Sequence, residues 1–236
     1  MPPVKKITAW SFSRYSLYKL CPFKLKLTAI DKLKEPPNQA MARGSHIHEL
    51  AEQYIKGQLA KPPVELKKFF PLFKELRTTF KKKTVINCVE ESWAFTKDWA
   101  ITRWDDWAEC WVRIKLDHAM SLDHEVLTIT DWKTGKFKPQ SNEDYLEQLE
   151  LYALAGLLRH PTIKEARPRL VYLDEGVTYP DPATPLIYTQ ADVPRLKALW
   201  QKRTKAMLAD TKFSPQPNWS CRFCHFQKAS GGPCQY

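Results

Sequence analysis

A chain of 236 residues, 43% hydrophobic and 12% aromatic, carries enough apolar side chain for one buried core, which excludes disordered, collagen-like and low-complexity classes. Lys and Arg number 37 against 26 Asp and Glu, and the resulting formal charge of +11 favours a polyanionic partner such as nucleic acid. No apolar run approaches the roughly eighteen residues that a membrane span requires, and the N-terminal stretch mixes apolar with basic and hydroxyl side chains, so the expectation is a cytoplasmic protein with no membrane partner.

In chain order, the first nine residues read as a short leader. Ser11 or Ser13 then caps a helix carrying Tyr15, Leu17, Tyr18 and Leu20 up to Cys21, where Pro22 interrupts or restarts it. Residues 32–38, with Pro36 and Pro37, form a linker, and 39–57 shows helical spacing in Ile47, Leu50, Ala51, Tyr54 and Ile55. Residues 64–83 repeat that spacing, with Pro71 as a kink and Lys81, Lys82 and Lys83 suiting the C-terminal dipole; this predicts a third, surface-facing helix. The pattern then changes. Residues 85–99, 110–122 and 125–133 are rich in β-branched and aromatic side chains and read as three consecutive antiparallel strands. A helix over 142–159, a short strand over 169–173, a partner for it at 186–188 and a last helix over 192–209 complete the core. From 213 to 236 the chain is rich in Cys, Pro and Gly without periodicity, so something other than a core must hold it. The expectation is one unit over 1–236: a mainly helical part (1–83), an α/β core (85–209) and a Cys-rich segment (213–236).

Chemistry concentrates between Lys115 and Lys138. If the second and third strands turn about His124, antiparallel pairing sets Asp117 opposite Asp131, with Cβ atoms about 5 Å apart, a spacing that suits two carboxylates on one divalent ion. The strand period also puts Lys133 on the face of Asp131. Carboxylates holding Mg²⁺ or Mn²⁺ beside a lysine make a phosphoryl-transfer centre. His48 and Glu52 share a helical face one turn after Gly44, which allows another backbone to approach, and His48 could complete the metal shell. Gln148 and Tyr152 repeat the i, i+4 spacing and offer an amide and a phenol to a phosphate or base. Arg43, Lys136 and Lys138 flank the same region as phosphate contacts, and Trp104, Trp107 and Trp132 could stack unpaired bases or pack in the core.

Gly44-x-x-x-His48-x-x-x-Glu52, Asp117, Asp131-x-Lys133-Thr134-Gly135 and Gln148-x-x-x-Tyr152 occur in the order, and on the predicted elements, of RecB-like nucleases of the PD-(D/E)XK superfamily, which the chain resembles from Ser11 onward. The resemblance implies a restriction-endonuclease-like core, a mixed central sheet flanked by helices. It implies that His48, Asp117, Asp131 and the Trp132 carbonyl bind Mg²⁺ or Mn²⁺, that Lys133 is catalytic, and that Gln148 and Tyr152 engage substrate. Cys221-x-x-Cys224, Cys234 and the distant Cys21 extend the likeness to the CRISPR-associated iron-sulfur exonucleases and to AddB, and imply a 4Fe-4S cluster closing the C-terminal segment on Cys21. The gap before Cys234 is longer than in those families and His225 adjoins Cys224, which leaves structural Zn²⁺ as the alternative. Cys88 and Cys110 read as buried small hydrophobes. The implied activity is metal-dependent DNA cleavage, exonucleolytic on single strands and open to DNA-processing partner proteins. The alternative is a non-catalytic nucleic-acid-binding or assembly subunit with the same fold and cluster. Oligomeric state is not legible.

Overall fold

A computed structural model describes residues 6–36, 38–82, 85–139 and 142–236. Ser11 is the residue that caps α1 (Phe12–Leu20), its hydroxyl accepting from the Arg14 N–H, and Pro22 opens α2 (Pro22–Leu25), which runs on into a π-helical turn, Lys26–Ile30. Asn38 caps α3 (Gln39–Ile55) by accepting from the Ala40 N–H. The expected kinked helix over 64–83 is instead two elements, a 3-10 stretch (Val64–Phe69) and α4 (Phe70–Phe80). Proline has no N–H to give, so Pro71 sits in the first turn of α4, where none is needed. One face of this region is exposed at Lys67, Lys68, Lys74, Glu75 and Thr78, as a surface helix requires, while the other buries Leu66, Phe73 and Leu76 completely. Lys83 lies outside the described residues.

The sheet comprises β1 (Ile86–Phe95), β2 (Ile101–Thr102), β3 (Val112–Ser121), β4 (Val126–Lys133), β5 (Glu165–Tyr172), β6 (Val177–Tyr179) and β7 (Tyr188–Thr189), in the order β2-β1-β3-β4-β5-β6 with β7 also on β5. β1, β3 and β4 are antiparallel neighbours, as expected, and β5 joins parallel to β4 across the crossover helix α5 (Asn142–Arg159). β5 begins at Glu165, four residues before the strand expected there, because Pro168 and the charged Glu165, Arg167 and Arg169 disguise the inward run Ala166, Leu170. From residue 6 onward the expected leader belongs to the fold: Ile7 and Ala9 are buried, as is Trp10, which bridges to Val112 at the start of β3.

Helices cover both faces. On one, α1, α5 and α6 (Val193–Ala209) pack on Phe95, Val112, Ile114, Leu116, Leu127 and Ile129, with Trp10 stacked on Trp200 at 5.4 Å. On the other, Ile47, Ala51, Phe73 and Leu76 of α3 and α4 meet Val89, Trp132 and Val171. Gly156 lets α5 lie close against the sheet, since a Cβ there would come within 2.6 Å of Ile129 and 2.9 Å of Leu127. Among the described residues no helix is long and apolar enough to cross a membrane.

The Cys-rich segment has small anchors of its own. Phe213 and Phe226 are buried, and Asn218 Nδ2 donates to the Leu20 carbonyl at 3.0 Å. Cys21, Cys221, Cys224 and Cys234, all free thiols, line one apolar cavity between this segment and the start of α2. Cys88 and Cys110 are buried in the core, as expected.

Candidate active site

The β3–β4 turn sets the register on which the site depends. Asp123 Oδ1 accepts the N–H groups of Glu125 and Val126, each at 2.9 Å, and His124 takes the left-handed φ of 59°. Pairing then runs Met120 with Thr128, Ala119 with Ile129 and His118 with Thr130. One further step along that register places Asp117 opposite Asp131, the pairing that a turn about His124 predicts. There the Trp132 N–H donates to the Asp117 carboxylate, at 2.7 Å to Oδ2.

β1 contributes a residue that sequence reasoning missed. Glu90 has φ 53°, and it faces Asp117 between the pairs Val89–His118 and Glu91–Leu116. The left-handed residue breaks the strand's alternation: Cys88, Trp93 and Phe95 belong to the core under α1, α5 and α6, whereas Val89 belongs to the core under α3 and α4. An irregular strand position of this kind leaves no periodic mark. The adjacent acidic pair Glu90-Glu91 in the middle of the strand is the one available hint.

α3 delivers His48 to this point. Its Nε2 lies 2.9 Å from the Trp132 carbonyl oxygen, and its Nδ1 lies 3.2 Å from Asp117 and 3.6 Å from Glu90. Gly44, one turn earlier, faces the Thr134 hydroxyl, with a Cβ position 3.1 Å from it, so the close neighbour is a side chain and not the expected backbone. Glu52 pairs with Lys56 on its own helix, and Lys115 holds the second oxygen of Glu90 at 2.8 Å. One ligand atom from each of His48, Glu90 and Asp117 lies within 4.8 Å of the others. Gly44, His48, Glu52, Glu90 and Lys115 line an open cleft of about 250 Å³ above them.

Asp131 stands apart from this trio, on the α5 side. Lys133 Nζ pairs with its Oδ2 at 2.6 Å, while Tyr152 OH and Gln148 Nε2 donate to its Oδ1 at 2.8 Å and 3.2 Å. Gln148 Oε1 in turn accepts from Lys133 at 3.3 Å. Tyr152, expected to meet substrate, is buried with its hydroxyl on Asp131, so both α5 residues hold the carboxylate and the lysine in place. Arg43 forms a two-pronged pair with Asp174 at 2.7 Å and 2.8 Å, which ties the start of α3 to the turn after β5. Lys136 and Lys138 are exposed just beyond Lys133, on the loop that leads to α5.

The donor set consists of carboxylates, an imidazole and a carbonyl, which suits a hard divalent cation, and Glu90 Oε1 is buried with no hydrogen-bond partner among the described residues. The electrostatics agree. Burial and the neighbouring Asp131 charge push the Asp117 carboxyl up, with His48 opposing. Burial works against a charged His48, yet its contacts with Asp117 and Glu90 prevail and raise it to about 10. Lys133 is likewise disfavoured by burial but lifted above its usual value by Asp131. A cation in the site must therefore displace protons. Mn²⁺ binding is expected to strengthen as pH rises toward the His48 value, by about tenfold per unit for each proton released, with calorimetric heats that depend on the buffer's ionisation enthalpy. Affinity and heat that are flat with pH and buffer would mean that His48 keeps its proton and is not a ligand.

A family model described as the PD-(D/E)XK nuclease superfamily matches residues 9–229. Among solved structures, a protein of Eubacterium rectale named provisionally as an exonuclease is similar at 10% identity, with 95% of this chain and 87% of that one covered and a TM-score of 0.49. The structure of SSO0001 is similar at 15% identity, with 94% and 85% covered and a TM-score of 0.44. No curated protein matches the chain.

Proposed function

The chain belongs to the PD-(D/E)XK nuclease superfamily, whose members are metal-dependent nucleases, and from that premise we propose that it is a RecB-like, Mg²⁺- or Mn²⁺-dependent deoxyribonuclease acting as an exonuclease on single-stranded DNA. The observation that carries this reading is the convergence of His48, Glu90 and Asp117 beside an Asp131–Lys133 pair, with His48 and Glu90 lining an open cleft.

His48, Asp117 and the Trp132 carbonyl would hold the cation, with Glu90 joining them and Asp131 closing the shell from the α5 side. When bound, the ion polarises the scissile phosphate and makes water acidic enough to serve as nucleophile at neutral pH. The chain's own groups do the rest. Lys133, fixed by Asp131 and Gln148, would orient the attacking water and offset the negative charge that grows on the phosphate. Tyr152 and Gln148 keep Asp131 from rotating as that charge moves. Lys136 and Lys138 are exposed and would meet flanking phosphates, whereas Arg43 is engaged by Asp174 and braces the fold.

The four cysteines we assign to a 4Fe-4S cluster. Support comes from four free thiols on one cavity, with the Asn218 N–H directed at Cys221 Sγ at 3.4 Å, a hydrogen bond that favours sulfur carrying negative charge. Anaerobically purified protein is expected to contain iron and acid-labile sulfide in equal amounts, and Cys221→Ser to lose both together with the anchoring of residues 213–236 against α2. Zinc in place of iron would convert the assignment to a structural Zn²⁺ site.

The experiment for the activity is cleavage of end-labelled single- and double-stranded DNA with Mn²⁺, Mg²⁺ or EDTA. Metal-dependent shortening of the single strand from one end is expected. Binding without cutting under every metal would leave a non-catalytic subunit of the same fold.

A further inference from the structure

We propose that a basic and aromatic groove beside the N-terminal segment and β3 holds the single-stranded DNA leading away from the scissile phosphate; the identity of the ligand rests on the nuclease reading above. Two cavities meet at Arg113. One, of about 330 Å³, is walled by Lys6, Arg14, Lys32, Trp107 and Arg113 and has no acidic side chain in its lining. The other, of about 260 Å³, runs from Arg113 and Trp104 to Gln148 and Tyr152, the residues that hold Asp131. Arg113 precedes Asp117 by four residues on β3, a distance of roughly 13 Å, so one strand can touch both.

The charges in this groove lack internal compensation. Arg14 and Arg113 have no carboxylate partner among the described residues: Arg14 donates to the Ala9 carbonyl at 2.6 Å, and Arg113 Nε to the Trp104 carbonyl at 3.1 Å. Arg113 Nη2 is buried with no hydrogen-bond partner among the described residues, and burial together with repulsion from Arg113 lowers Arg14. Like charges held together this way are relieved by an anion. The anion is further specified by Trp107, which is 79% exposed although its ring is held in place by the Arg113 guanidinium at 4.3 Å. A fixed, open indole offers a face on which a base can stack. Only an unpaired base can use it, since duplex bases are covered by their neighbours.

The test is the binding of fluorescently labelled oligodeoxynucleotides in EDTA, where no cleavage is needed. Trp107→Ala is expected to weaken single-strand binding about tenfold and to leave duplex binding unchanged. Lys6→Ala combined with Lys32→Ala should reduce the slope of log affinity against log salt by about 1.4, a change that a merely structural role would not produce. Unchanged affinity and slope in both variants, or equal losses on single strand and duplex, would overturn the groove. The two readings fail separately. A wild type that never cuts, with binding that depends on Trp107, overturns the nuclease and upholds the groove; a wild type that cuts, with variants that bind normally, does the reverse.

Discussion

Asp131→Asn is expected to lower DNA cleavage by about a thousandfold while leaving the chain folded. The amide keeps the shape of the carboxylate, and the Tyr152 hydroxyl can still donate to its oxygen, so the α5 contact survives. What disappears is charge. Lys133 loses the partner 2.6 Å from its ammonium, and with burial then opposed mainly by the more distant Asp117 its proton is held less tightly, so it is a poorer stabiliser of the developing phosphate charge. Asp117 responds in the opposite sense, since the repulsion that helps raise it is gone, and its carboxyl should titrate lower in the variant. Turnover with end-labelled single-stranded DNA and NMR titration of the Asp117 carboxyl check the two halves. Cleavage within an order of magnitude of the wild type would remove Asp131 from the chemistry. A fallen Asp117 titration without loss of cleavage would make Asp131 an electrostatic neighbour alone.

Trp200→Ala is expected to destabilise the fold by about 3–5 kcal/mol, the largest stability effect of any single substitution considered. Trp200 is fully buried, stacked on Trp10 and met edge-on by Phe12 at 6.2 Å and Tyr15 at 5.3 Å, with the Arg203 guanidinium 5.0 Å over its ring. Removing it opens a cavity where the N-terminal segment, α1 and α6 converge, and a rigid aromatic cluster cannot collapse into the space. The indole N–H of Trp200 is buried with no hydrogen-bond partner among the described residues, so Trp200→Phe discards an unsatisfied donor and should cost much less than alanine. Urea unfolding midpoints at constant slope measure both. Equal losses for phenylalanine and alanine would show that the indole nitrogen is satisfied after all.

Local signals reached most of the scaffold and half of the site. The antiparallel trio β1, β3, β4 was legible because its strands alternate and because an Asp-His turn can be centred on one residue, which then fixes the position of Asp117 opposite Asp131. His48 was legible through helical spacing. Glu90 was not, because its role comes from a single left-handed residue that turns the strand over. The roles of Gln148 and Tyr152 were half legible: spacing placed them on one face of α5, but which way that face points depends on how closely Gly156 lets the helix approach the sheet. Arg43 looked like a phosphate contact until its partner Asp174, 131 residues away in sequence, appeared beside it. β2 and β6, of two and three residues, are too short to carry a period, whereas β7 overlaps at Tyr188 the partner strand expected at 186–188 and pairs with β5 there.

The stacking of Trp10 on Trp200 also governs the order in which this protein can be made. Synthesis delivers the N-terminal segment first; Trp10 then meets Trp111 and Val112 at the start of β3, but the ring stacked on it, Trp200, follows only 190 residues after it. The strands bearing Asp117, Asp131 and Lys133 emerge in that interval with α6 still missing. Catalytic competence therefore waits for α6, and a nascent chain stalled before α6 presents an open apolar face to chaperones instead of a working cleft to the nucleic acid around the ribosome.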